Sequence, residues 1–368
     1  MIGTIPQLSI DKCIKDLSTM YINVINNGTN ISKMPSVMLW GQPGIGKSQS
    51  IRELASVIEA NTKKKVYITD VRLILFNPVD LRGIPTANAD KTLAVWLKPK
   101  VFDMSDKDDV INILFLDEIS AAAPSVQAAA YQITLDRRIG EHTLPDNCIV
   151  IAAGNRVTDK SVAYTMPKAL SNRLLHLEIE NDIESWNRWA IESDIHHTVI
   201  AFLKYKPDYL NKFDPSNQEL AFSTPRSWEM VSNILNNVSN DINVVFDLIA
   251  GLVGNGVAIE FKGFYKVFSK LPKIENIFNG TETIIPKETD VLFALCSSIV
   301  SYAKKKNITD EEINNSIRYA NMLPADYAFI LLKDYLALGE NFKRKLLTNS
   351  EYLKWLNTKG KILNAAYR

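Results

Sequence analysis

The stretch VMLWGQPGIGKS constrains this chain more than any other. Four apolar residues, Val37 to Trp40, run into Gly41-Gln42-Pro43-Gly44-Ile45-Gly46-Lys47-Ser48. The glycines let successive backbone N–H groups turn inward, and Lys47 to Ala60 (KSQSIRELASVIEA) has helical periodicity. A strand, a glycine turn and a helix N-terminus in that order make a cradle for phosphate. The spacing G-x-x-x-x-G-K-S is the P-loop pattern, with Lys47 placed for β- and γ-phosphates and Ser48 for Mg2+. A chance glycine turn is the alternative, and the strand before and helix after weigh against it.

Beyond the loop, alternating apolar runs and helical patterns predict a parallel α/β sheet. Val66 to Phe76 is rich in strand formers. Ile111 to Leu116 (INILFL) and Cys148 to Ala153 (CIVIAA) are continuous apolar runs, as expected of strands covered on both faces. Pro124 to Asp136 reads as a helix, and Leu174 to Ile179 as the last strand. Past about residue 181 the strands stop. Ile183 to Lys204, Pro225 to Asn236, Glu288 to Lys306 and Asp310 to Tyr319 read as helices, with breaks near Gly263, Pro272 and Gly280 to Pro286. The expected fold is an α/β P-loop NTPase core, a parallel sheet flanked by helices, followed by an all-α lid and a helical C-terminal extension. The expected boundaries are 1–180, 181–265 and 266–368.

A length of 368 residues suits two or three domains. The net charge of +1 gives no general pull toward nucleic acid or an anionic membrane. Three widely spaced cysteines, Cys13, Cys148 and Cys296, speak against a disulfide framework and for a reducing cytoplasm. Four histidines without HExxH or CxxC argue against a zinc site. The N-terminus MIGTIPQLSIDKC lacks the pattern of a secretion signal. Ile242 to Phe261 is apolar, but Asn243, Asp247, Asn255 and Glu260 interrupt it, so it reads as buried helix and loop.

Further chemistry lies at the strand ends. In ILFLDEIS, Asp117 ends an apolar strand, within reach of a Mg2+ beside the glycine loop, and Glu118 is placed to polarise an attacking water. An acidic cap on the following helix is the alternative. In CIVIAAGNR, Asn155 stands at a strand tip, where an amide can bond a water or a γ-phosphate; a turn asparagine is the alternative. PKALSNRLLHLEI sets Arg173 at a helix end, from which it could meet a neighbouring subunit's γ-phosphate; a surface arginine on a helix terminus is the alternative. STPRSWEMV opens a helix with Ser223 or Thr224 as N-cap. Arg226 in its first turn is an unusual charge for that end of the dipole and would suit a phosphate. Asp80-Leu81-Arg82-Gly83 and Asn211-Lys212-Phe213-Asp214 formally match the DxxG and NKxD patterns of a GTPase. The second follows the polar stretch KPDYL outside the α/β region, and Asp117 has a better claim than Asp80 to the place of the Mg2+ aspartate.

These motifs together resemble the AAA+ ATPases, and within them the MoxR-like branch. GQPGIGKS resembles Walker A, ILFLDE Walker B, AAGNR sensor 1, LSNR the arginine-finger helix and TPRSW sensor 2. NPVDLRGIP with TLAVWLKP resembles the helix-2 insert, LDRRIGEHTLPDN the hairpin before sensor 1, and LPADYAFILLKDY the C-terminal region. The resemblance implies ATP and Mg2+ as ligands. Gly41, Gln42, Pro43, Gly44, Ile45, Gly46, Lys47, Ser48 and Gln49 would hold the nucleotide, and Ser48 and Asp117 the metal. Lys47, Glu118, Asn155, Arg173 and Arg226 would act in hydrolysis. It further implies a homo-oligomeric ring, usually a hexamer, and chaperone-like remodelling of a protein client or metal insertion. A partner with a von Willebrand factor A domain is typical. A nucleic-acid motor or loader, a nucleotide-gated ring without turnover, and a GTPase switch are the competing readings. The neutral charge, Glu118 and the misplaced DxxG and NKxD count against them in turn.

Overall fold

A computed structural model gives the fold and describes residues 5–156, 166, 171–217, 219–305 and 307–360. The chain forms two compact units, Met1–Asn181 with Asp214–Gln218, and Asp182–Phe213 with Glu219–Arg368.

The first unit is built on a six-stranded parallel sheet. Its strands are β1 (Gln7–Leu8), β2 (Val37–Trp40), β3 (Lys65–Arg72), β6 (Val110–Asp117), β9 (Cys148–Gly154) and β10 (Leu175–Ile179). They lie in the order β1-β10-β2-β9-β6-β3. Every residue of β6 and β9 is buried, as their unbroken apolar runs require. Alternate side chains go to opposite faces. Leu39, Ile113, Phe115 and Ile151 pack with Leu17 of α1 (Ile10–Asn26) and Leu54 of α2 (Lys47–Thr62). Met38, Leu114, Leu116 and Val150 pack with Val126 and Ile133 of α4 (Pro124–Asp136). Full burial of each such aliphatic side chain contributes about 1.5–3 kcal/mol, so both faces must be covered for the sheet to persist.

The strand order has a consequence for chemistry. β9 lies between β2, which feeds the glycine loop, and β6, which ends in Asp117. Parallel strands deliver their C-terminal ends to one edge, where ligands bind in open α/β sheets. Asn155, just past β9, therefore emerges between the other two strand ends.

Two small hairpins decorate this unit. After α3 (Pro78–Arg82), β4 (Ile84–Ala87) pairs antiparallel with β5 (Ala94–Leu97), and β7 (Arg138–Ile139) pairs with β8 (His142–Thr143). The second hairpin touches the first and α3: His142 Nε2 lies 2.8 Å from the Trp96 carbonyl oxygen, and a Cβ on Gly140 would sit 2.6 Å from the Arg82 carbonyl.

The second unit is helical throughout its described residues, and one hydrophobic core runs from Trp186 to Trp355. The expected boundary between 265 and 266 does not appear as a division, since Phe261, Phe278, Leu295 and Leu331 share that core. Helix Ile183–Glu192 ends well before Lys204, and a second helix, His197–Tyr205, comes after it. Asp194 between them adopts φ 57°, which an α-helix cannot continue. Gly263 lies inside helix Asn255–Tyr265 instead of at a break. Within Ile242–Phe261, Val244, Leu248 and Ile259 are exposed, so that segment is buried on one side only. All three cysteines are free thiols and buried. Among the described residues no helix is long and apolar enough to cross a membrane.

Candidate functional site

The loop from Gly41 to Ser48 takes the shape its glycines allow. Gly44 and Gly46 adopt φ of 77° and 110°, in a region that side chains rarely enter. Helix α2 starts on Gly46 without any side-chain cap. Capping side chains normally contribute about 0.5–2 kcal/mol at this place. Without one, the first-turn N–H groups and the positive end of the helix dipole are left for an anion. Gln42, Pro43 and Ile45 complete the turn, Ile45 being buried. Gln49 is exposed in the first turn of α2, where its Oε1 accepts from Arg52 at 3.2 Å.

Lys47 is held over this loop. Its Nζ donates to the Gly41 carbonyl at 2.6 Å, the Gln42 carbonyl at 3.1 Å and Asn155 Oδ1 at 2.9 Å. Asn155 is itself fixed, because its backbone N–H donates to Ser120 Oγ at 2.9 Å. A Cβ on Gly154 would lie 2.8 Å from the same hydroxyl oxygen, so the glycine gives Ser120 room to reach the strand end.

The acidic pair stands on the other side. Ser48 Oγ donates to Asp117 Oδ2 at 3.1 Å, and Asp117 Oδ1 accepts the Glu118 N–H at 2.9 Å. Glu118 adopts φ 58°, a left-handed conformation that costs a non-glycine residue about 1–3 kcal/mol and tends to occur at functional sites. The chain turns there, and the Ile119 N–H returns to the Ala153 carbonyl at 2.9 Å. Neither acid caps the next helix, because α4 begins at Pro124 on an Ala123 cap. Asp70 on β3 lies near Asp117; burial first, then that neighbouring carboxylate, raises its carboxyl above the ordinary range. A hydroxyl and a buried carboxylate are hard oxygen donors of the kind Mg2+ takes, so Ser48 and Asp117 fit that ion.

The remaining expected residues fall elsewhere. Arg173 is exposed in the turn just before β10; positions 167–170 of PKALSNR lie outside the described residues. Arg226 belongs to the helical unit and is exposed in the first turn of helix Pro225–Asn237. The cap there is Thr224, whose side chain accepts from the Ser227 N–H. The DxxG aspartate, Asp80, is occupied with capping α3, accepting from the Asn77 N–H at 2.7 Å. Asn211 Oδ1 accepts from the Phe213 N–H, and Asp214 Oδ1 from the Ser216 N–H. Both patterns are turn chemistry, and neither sits at a strand end.

Sequence reasoning missed several residues around the loop. Trp40 Nε1 donates to His176 Nδ1 at 2.9 Å. Glu178, buried on β10, pairs with Arg156 and accepts from Gln7 Nε2 at 3.1 Å. Gln7, Gln42, Arg156 and Glu178 line a recess of about 240 Å3 against Gly41. No local pattern marks these residues, since the partners stand more than 130 positions apart in the Trp40 and Gln7 pairs. A second feature, the groove beside the β4–β5 hairpin, is apolar and open: Leu75, Val79, Ile84 and Leu97 line it and are all exposed.

Part of the chain is similar to known proteins. Residues 36–176 match the model of the ATPase family associated with various cellular activities (AAA). The uncharacterized protein YeaC of Bacillus subtilis (strain 168) is 29% identical over 145 residues, which are 38% of this chain and 40% of that protein. The match thus spans about two fifths of that relative's length. Among solved structures, C. elegans PCH-2 shares 14% identity at a TM-score of 0.36, covering 71% of this chain and 70% of its own. A Thermotoga maritima RuvB variant shares 14% at 0.36, covering 79% and 84%. Brucella abortus NtrX in complex with ADP shares 15% at 0.34, covering 98% and 70%. Likeness at that level says nothing about what this chain binds. The segment that matches the AAA ATPase family, 36–176, is the one that carries the glycine loop, Asp117, Glu118, Asn155 and Arg173.

Proposed function

We propose that this protein is a Mg2+-dependent ATPase of the MoxR-like type, which hydrolyses ATP at sites shared between neighbouring copies of a ring and uses the cycle to remodel a protein partner. The observation that carries the reading is the convergence of Lys47, Ser48, Asp117 and Asn155 on an uncapped helix N-terminus, with Glu118 adjoining Asp117.

The roles derive from the chemistry of each group. The open N–H groups of the loop and of α2 would bind the phosphates, and Lys47 would exchange its carbonyl partners for β- and γ-phosphate oxygens. Ser48 and Asp117 would hold Mg2+, whose positive charge would offset the negative charge that develops on the phosphates. Glu118 would take a proton from the attacking water, while Asn155, already bonded to Lys47, orients that water or the γ-phosphate. Arg173, exposed before β10, is assigned to the γ-phosphate of the adjoining copy, a contact worth roughly 10³–10⁵ in rate in related chemistry. The apolar hairpin groove supports a protein client. A hexamer, and a partner with a von Willebrand factor A domain, are the forms the MoxR-like resemblance favours.

A mixing experiment tests the shared site. Arg173→Ala and Lys47→Ala should each be inactive alone and should regain part of the phosphate release when combined, because some interfaces then pair an intact loop with an intact arginine. Absence of any recovery at every ratio, with co-assembly demonstrated, would remove Arg173 from a neighbour's site.

A further inference from the structure

We infer that His176 is a positioning residue that ties the turn carrying Arg173 to the glycine loop; the inference rests on the shared site just proposed. Trp40 is the last residue of β2 and directly precedes Gly41. Its indole Nε1 donates to His176 Nδ1 at 2.9 Å, and the two rings stack with centroids 6.1 Å apart and planes 17° from parallel. With Nδ1 accepting, the imidazole proton lies on Nε2. That nitrogen is 2.7 Å from the carbonyl oxygen of Ser171, to which it donates.

Ser171 opens the turn that contains Asn172 and Arg173, both exposed. The backbone bond closing the turn, Leu174 N–H to Ser171 O, is long at 3.4 Å. The imidazole bond to the same oxygen is the shorter and stronger of the two. β10 is anchored beside β2 by its own register, Leu175 opposite Val37 and His176 opposite Met38. One imidazole therefore accepts from the residue before the loop and donates to the turn that carries the arginine. A phenyl ring keeps the stack but makes neither bond, whereas a glutamine side chain offers one acceptor and one donor.

A displacement of about 1 Å in a positioning group can lower a rate about 10²-fold. His176→Phe should accordingly bind ATP as the unchanged protein does, while steady-state phosphate release falls about 10- to 100-fold. His176→Gln should recover part of that loss. The decisive readout is mixing with Lys47→Ala. The His176→Phe subunit keeps an intact loop and needs only a neighbour's well-placed Arg173, which Lys47→Ala supplies, so activity should rise. If His176→Phe instead weakens ATP binding as much as turnover and is not rescued by Lys47→Ala, the residue serves its own loop through Trp40 and the inference is overturned. The control mixture of Arg173→Ala with Lys47→Ala separates the two ideas. Recovery there, without recovery for His176→Phe, defeats the role of His176 alone; no recovery in either mixture defeats the shared site.

Discussion

Lys47 and Asn155, 108 residues apart in sequence, are joined by a 2.9 Å hydrogen bond from the ammonium to the amide oxygen. The bond links the glycine loop after β2 to the tip of β9, and it forms because β9 is inserted between β2 and β6. Asn155→Ala should leave ATP binding in place, since the loop and Lys47 remain. Phosphate release should fall about 10²- to 10³-fold if the amide acts on the transition state as a fixed polar donor does elsewhere. Equal losses in ATP affinity and in turnover would show that Asn155 only shapes the loop.

The helical unit contains a buried ion pair, Lys204 with Asp334, whose carboxyl is raised by burial despite the lysine beside it. Removing one partner from such a pair typically costs about 3–5 kcal/mol, because a buried charge is left alone, whereas replacing both by apolar residues is often neutral. Lys204→Met should therefore lower the urea midpoint strongly, and Lys204→Met with Asp334→Leu should restore most of it. A single variant as stable as the parent would contradict the burial of this pair.

His196 and His197 in the same unit stack at 4.5 Å. Burial, with Lys305 nearby, lowers the His196 imidazole from its ordinary 6.5 to about 4. Burial, then His196 and Lys305, lowers His197 to about 3. The unfolded chain takes up these protons first as pH falls, so the two histidines favour the folded state fully above about pH 6.5. That contribution should be lost progressively from about pH 6.5 down to about pH 3. Hydrogen-exchange protection in helices Ile183–Glu192 and His197–Tyr205, taken relative to the intrinsic rate at each pH, should fall across this window, and His197→Phe should flatten the dependence. Identical pH profiles for parent and variant would count against it.

The sequence made the placement of the candidate site legible where the pattern is local. The glycine loop, the buried run into Asp117 and the strand before Asn155 are contiguous patterns, and the structure places all three at one sheet edge. Strand order was not legible, because which apolar run lies beside which is decided by pairing between distant segments. β1 is only Gln7 and Leu8, with no alternation to announce it, and is a strand only because β10 is there to pair with. The left-handed turn at Glu118 has no glycine or asparagine to signal it. The helix from Ile183 broke early at Asp194, another residue in the left-handed region without glycine. The Trp40–His176 bond joins two residues that are unremarkable where they stand.

The most direct measurement is the behaviour of Glu118→Gln with ATP and Mg2+. The variant keeps the loop, Lys47, Ser48 and Asp117, and loses only the carboxylate that would accept a proton from water. ATP binding by equilibrium dialysis should match the parent, while steady-state phosphate release should drop about 10²- to 10⁴-fold. Release at the parent's rate would contradict the account, as would a parent protein that binds ATP but never turns it over.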